Sequence, residues 1–206
     1  SELVISYAIS LLRHVPAAQR EVLDGAWRQQ VGQQLSGKTV GIIGCGHVGK
    51  DLVKLLQPFG CDVLAHDIKD YVDFYHEFCV RPIDLETLLK ESDVVTIHTP
   101  LDNSTRNILS AERLAMMKSS AVLINLARGG LVDEAALKAK LSERSLAAAG
   151  FDVFAIEPPE DTGLLNLPNF LVTPHIGGSS EEAILAMGRA AISGLDAFGY
   201  PLEVTR

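Results

Sequence analysis

The chain has little of what would assign a protein to a class at sight. No apolar run comes near the roughly 20 residues of a membrane span, and no basic stretch precedes an apolar segment at the start. A membrane protein is not expected, and the reading is cytoplasmic. Cysteine is scarce: Cys45, Cys61 and Cys79 are odd in number and show neither CxxC nor zinc spacing. That excludes a disulfide framework and a cysteine metal site, so no metal is expected. A Lys/Arg cluster is also missing. With 18 basic against 26 acidic residues and a net charge of −8, neither nucleic acid nor an anionic membrane surface is expected as a partner. There are no repeats and no low-complexity segments. What remains is a globular composition, 47% hydrophobic and 21% charged over 206 residues, enough for one substantial core.

Against this plain background one stretch stands out, Val40-Gly41-Ile42-Ile43-Gly44-Cys45-Gly46-His47-Val48-Gly49. An apolar β run at 39–43 leads into a glycine turn, and residues 47–57 continue as an amphipathic helix bearing Leu52, Val53, Leu55 and Leu56. Each glycine has a task. Gly44 permits the tight turn, Gly46 lets backbone approach a pyrophosphate, and Gly49 allows close helix–strand packing. His47 and Val48 open the helix whose N–H groups would meet the phosphates. A second β run, 62–66, delivers Asp67, 23 residues after Gly44 and 18 after Gly49. The offset of roughly 20 is that of an acid accepting from ribose hydroxyls. Its charge repels a 2′-phosphate, and no arginine follows in Ile68-Lys69-Asp70, so NAD is expected over NADP, with Lys69 working against that choice.

Leu3, Val4, Tyr7, Ala8, Leu11 and Leu12 recur at helical spacing, which predicts an opening helix ending near His14-Val15-Pro16. Residues 19–36 are polar, lack periodicity and hold Trp27, and read as an extended arm with a partner surface. From Lys38 onward strands predicted at 39–43, 62–66, 78–80, 93–97, 121–125, 146–151 and 170–173 alternate with helices near 47–57, 84–90, 110–116, 133–141 and 179–198. Alternation with fully apolar strands predicts an α/β fold of Rossmann type, a doubly wound parallel sheet carrying an N-terminal helix and arm. The division is 1–36 for helix and arm and 37–206 for the dinucleotide-binding domain.

Ligands of such sheets bind outside the carboxyl ends of the strands. The polar residues there are His98-Thr99-Pro100, Asn125 to Gly130 including Ala127 and Arg128, Asp152 with Glu157, and Thr173-Pro174-His175-Ile176-Gly177-Gly178. Arg128, presented by a glycine turn, is suited to grip a carboxylate bidentately. If Glu157 meets His175, the carboxylate favours the imidazolium and the two form an acid–base pair. Taken singly, His175 also fits a histidine at a helix start and Glu157 a surface acid. His14, His47, His66 and His76 need no catalytic role.

Five motifs stand in order along the chain, GIIGCGHVGK at 41–50, HTPLDNSTRNIL at 98–109, INLARGGLVDEAAL at 124–137, GFDVFAIEPP at 150–159 and TPHIGGSS at 173–180. In them the sequence resembles the D-isomer-specific 2-hydroxyacid dehydrogenases, a family that includes phosphoglycerate dehydrogenase and glyoxylate/hydroxypyruvate reductase. The resemblance implies that Arg128 binds and polarises a 2-keto acid, that His175 is proton donor and acceptor, and that Glu157 pairs with it. Asp152, with backbone around Ala127, would hold the nicotinamide carboxamide. His98, Thr99, Pro100, Gly177 and Gly178 complete the expected cofactor set. The opening helix and arm would make a homodimer contact. A preceding substrate lobe, usual in the family, is not found, so the domain by itself is expected to be inactive and the 2-hydroxy acid cannot be read. Two alternatives follow: an NAD-sensing, corepressor-like binding protein, and an inactive nucleotide-binding fragment.

Overall fold

The computed structural model describes residues 1–197. Two compact units are present, Ser1–Pro174 and a second beginning at His175.

The first unit is built on strands β1 (Thr39–Ile43), β2 (Asp62–His66), β3 (Arg81–Pro82), β4 (Val94–Ile97), β5 (Val122–Asn125), β6 (Ala148–Phe151) and β7 (Phe170–Val172). All pair in parallel in the order β3-β2-β1-β4-β5-β6-β7. The order reverses between β1 and β4, which marks the crevice where such sheets take ligands. Side-chain alternation splits the core into two layers. On β2, Val63 and Ala65 face one layer and Leu64 the other; on β5, Val122 and Ile124 oppose Leu123. The first layer is closed by α1 (Glu2–Leu12), α3 (His47–Leu56) and α4 (Val72–Glu77), through Tyr7, Leu11, Leu52, Leu56 and Tyr75. The opposite layer is closed by α5 (Leu85–Glu91), α6 (Ala111–Ala115), α7 (Glu134–Ser142) and α8 (Thr162–Leu165), through Leu88, Leu114, Leu137 and Leu164. The sheet is therefore covered on both faces, as its apolar runs require. Helices of this second layer start on side-chain caps: Asp84, Ser110, Asp133 and Asp161 accept backbone N–H bonds from the first turns they precede.

Most elements lie within two residues of their sequence expectation, and the departures have physical reasons. Residues 19–36 are not wholly an extended arm, because α2 (Val15–Leu23) occupies their start, with Pro16 in its first turn. None of its residues is buried, so it adds nothing to the core. The strand expected at 78–80 is β3 at 81–82, since aromatic α4 ends at Phe78 and Cys79 turns in the left-handed region. The helices α4 and α8 were not foreseen; both are under two turns long and give no period to detect.

In the second unit, His175 has a left-handed backbone (φ +55°) and is exposed with Gly177 and Gly178. Helix α9 (Glu181–Ala197) follows, opened by Ser180 accepting from Ala183 N–H at 3.1 Å. The expected helix end at Phe198 and the closing Gly199-Tyr200-Pro201-Leu202 lie outside the described residues.

Candidate functional site

Strand β1 ends at Ile43, and the chain turns at Gly44 with φ +93°, a region only glycine adopts freely. A Cβ at Gly44 would also sit 2.8 Å from the His98 carbonyl carbon, so the turn lies directly against the end of β4. At Gly49 a Cβ would overlap the Gly44 carbonyl oxygen, which is the close packing of α3 on the turn that the fingerprint anticipates. Gly46 has open space where a side chain would project, and it caps α3 without a side-chain hydrogen bond. Together with His47 and Val48 it therefore presents a helix N-terminus not closed by a side chain, the geometry that takes a phosphate.

Asp67, expected from its offset to accept from a ribose, is bonded to backbone on both oxygens. Its Oδ2 accepts the Cys45 backbone N–H at 2.7 Å and its Oδ1 accepts the Lys69 N–H at 2.8 Å. The acid thus ties the glycine turn to the end of β2. Burial pushes the Cys45 thiol up, leaving it a neutral filler of the turn. Replacing Asp67 by Ala should weaken NAD binding by about 10- to 100-fold, the worth of charge-assisted hydrogen bonds, and should narrow the preference over NADP. Titration with both dinucleotides checks this; unchanged affinity and preference would remove Asp67 from the site.

Across the crevice, burial pushes the His98 imidazole down to about 4, and its Nε2 lies 3.0 Å from the Thr96 hydroxyl. It is a neutral packing group. Thr99, next along, has a buried hydroxyl oxygen with no hydrogen-bond partner, beside Gly44. An orphaned hydroxyl at this position fits a polar group brought in by a ligand. Pro100 is exposed, and its carbonyl accepts from the Thr105 hydroxyl at 2.7 Å.

Beyond β5, Asn125 is buried and closes the turn that carries Arg128. Its Nδ2 donates to the Arg128 carbonyl at 2.9 Å and its Oδ1 accepts the Ala127 N–H at 3.2 Å. Arg128 itself is exposed, with one guanidinium N–H on the Ala127 carbonyl at 2.6 Å. At Gly129 a Cβ would overlap the Phe154 carbonyl, so this turn is pressed onto the loop after β6. That loop holds Asp152, 1% exposed, and Glu157, whose Oε1 accepts the Phe154 N–H at 3.0 Å. Glu134 accepts the adjacent Ala155 N–H at 2.9 Å. The first unit therefore gathers the glycine turn, Asp67, His98, Thr99, Ala127, Arg128, Asp152 and Glu157 at the carboxyl edge of one sheet. His175, Gly177 and Gly178 belong to the second unit. Asn125 and Glu134 were not singled out from sequence; a polar residue ending an apolar strand was the one signal available for Asn125.

Among the described residues no cluster of His, Cys, Asp or Glu could hold a metal ion, and no helix is long and apolar enough to cross a membrane.

Residues 5–177 match the family model of the D-isomer specific 2-hydroxyacid dehydrogenases, NAD binding domain. Hydroxypyruvate reductase of Thermotoga maritima is 39% identical over 91% of this chain and 62% of its own length. Glycerate dehydrogenase of Methylorubrum extorquens is 45% identical over 82% of this chain and 53% of its own length. The chain thus spans between half and two thirds of these relatives. A solved D-isomer specific 2-hydroxyacid dehydrogenase from Lactobacillus delbrueckii ssp. bulgaricus, in its NAD complex, superposes on 100% of this chain and 68% of its own with a TM-score of 0.88 at 32% identity. A reversed parallel sheet with its glycine turn, an acid tied to that turn, and matching relatives along nearly all of the chain lead to one conclusion: it belongs to the D-isomer specific 2-hydroxyacid dehydrogenase family, as an NAD-binding domain.

Proposed function

We propose that the protein is an NAD-dependent oxidoreductase that interconverts a D-2-hydroxy acid and the corresponding 2-keto acid. The observation that carries this reading is the turn bearing Arg128, pinned by Asn125 and pressed through Gly129 onto the loop of Asp152 and Glu157, at the edge where the glycine turn lies. When bound, the dinucleotide supplies or accepts hydride. Arg128 holds the substrate carboxylate and withdraws density from the 2-keto oxygen. Asp152 orients the carboxamide end of the cofactor. The acid–base role of His175, and the part of Glu157 in keeping it protonated, rest on the family motifs rather than on the fold. Every relative compared above is named a reductase or dehydrogenase, which favours an enzyme over the corepressor-like reading. Reduction of glyoxylate, hydroxypyruvate and pyruvate with NADH, followed by chiral analysis of the product, tests the proposal. An L product, or no turnover with any 2-keto acid by the whole protein, would refute it.

The same reading includes a homodimer in the cytoplasm. Its support is the segment around and beyond α2, where Leu23, Trp27 and Val31 are 77%, 85% and 94% exposed. Such apolar side chains are covered when a second copy docks. Leu23→Glu with Trp27→Glu should turn a sedimenting dimer into a monomer. A native chain that sediments as a monomer at high concentration would end the dimer proposal.

A further inference from the structure

We propose that Tyr7 and Thr173 form a buried hydroxyl relay that fixes the orientation of Asp152, making the first helix a working part of the cofactor site. The proposal rests on the reading of Asp152 as the residue facing the carboxamide end of the dinucleotide, and extends the site to Tyr7, outside every motif, and to Thr173, which opens the motif at 173–180.

Tyr7 lies on α1 and is 2% exposed, and Asp152 is 1% exposed. The Thr173 hydroxyl donates to Asp152 Oδ1. A hydroxyl has one proton, so the 2.7 Å bond between Thr173 Oγ1 and the Tyr7 oxygen must have the tyrosine as donor. The direction of the chain is thereby set: Tyr7 to Thr173, Thr173 to the carboxylate. The Phe151 carbonyl, at 3.3 Å, is a longer alternative acceptor for the same proton. Burial pushes the Tyr7 phenol up to about 12, so it holds its proton throughout the working range.

The backbone is shaped for this contact. Gly150 in β6 has no side chain, and a Cβ there would overlap the Tyr7 ring. The ring packs against the strand at Gly150, two residues before Asp152, and its hydroxyl reaches Thr173 at the end of β7. A buried carboxylate with a directed donor on one oxygen is held to one rotamer, and the bond from Thr173 sets which one. Tyr7 and Thr173 are therefore positioning residues, and they act through Asp152.

The test compares NADH with ADP-ribose, which shares the adenosine and pyrophosphate but lacks nicotinamide, on the 206-residue chain. Tyr7→Phe keeps the ring packed on Gly150 and removes only the donor. It should weaken NADH binding by about three- to tenfold, the worth of one hydrogen bond, and leave ADP-ribose binding within about twofold. Thr173→Val should show the same selective loss, Thr173→Ser should restore affinity, and adding Tyr7→Phe to Thr173→Val should cost nothing more. Should Tyr7→Phe weaken both ligands equally, or neither, while Asp152→Asn loses NADH selectively, the relay is refuted and the cofactor reading stands. Should Asp152→Asn itself fail to separate the two ligands, the reading of Asp152 falls, and the relay with it.

Discussion

Replacing His175 by Ala should lower kcat for 2-keto acid reduction by about 10²- to 10⁴-fold while NAD binding stays nearly intact. The loss is that of a positioned proton donor in the transition state. The companion variants separate the proposed roles. Without its carboxylate, Glu157→Gln withdraws support from the imidazolium, so a smaller fraction is protonated at a given pH. The reduction rate, which needs the charged form, should then fall away at lower pH than in the parent. Arg128→Lys keeps the charge and loses the bidentate fork, so keto acid binding should weaken together with turnover. Steady-state rates across pH, in the whole protein, check all three. Near-parental reduction by His175→Ala at every pH would show that the proton comes from elsewhere.

Gly129→Ala should be among the most destabilising single changes in the first unit, at about 3 kcal/mol or more. A Cβ there meets the Phe154 carbonyl and the Ala155 nitrogen, which are backbone and cannot rotate aside. The turn bearing Arg128 and the loop bearing Asp152 would have to separate, so cofactor binding should weaken in parallel. At about 2–4 °C per kcal/mol for a chain of this size, melting should fall by roughly 6–12 °C. Gly25→Ala is the control. Gly25 has φ +84° with nothing near its missing Cβ, so it should cost only about 1–2 kcal/mol of backbone strain. Equal melting temperatures for the two variants would mean that the close approach at Gly129 is not what binds these loops together.

Contiguous features were legible in the sequence. The dinucleotide turn is a local object: Gly44, Gly46 and Gly49 lie within six residues, and their tasks follow from backbone sterics that any chain obeys. The parallel sheet was legible as well, since strands buried on both faces are predominantly apolar, as Val122 to Ile124 and, apart from Thr96, Val94 to Ile97 are. Asp67 was expected from its offset, and its bond to Cys45 N–H, which makes it part of the turn, was not. Elements without a core stripe escaped: α2 buries nothing and β3 pairs through two residues.

What the sequence by itself determined was the fold class, the glycine turn after β1 and the identity of the polar residues at the strand ends. These depend on local periodicity and steric rules that act over a few residues. Only the tertiary structure decided which distant groups share a hydrogen bond: Glu134 under the loop after β6, and Tyr7 reaching Thr173 across 166 positions of sequence. A hydroxyl or carboxylate carries no mark of its partner, because the partner is chosen by how helices seat on the sheet. Gly150 shows why. As a residue it reads as a weak spot in a strand, and only with α1 in place does it become the floor on which the Tyr7 ring lies.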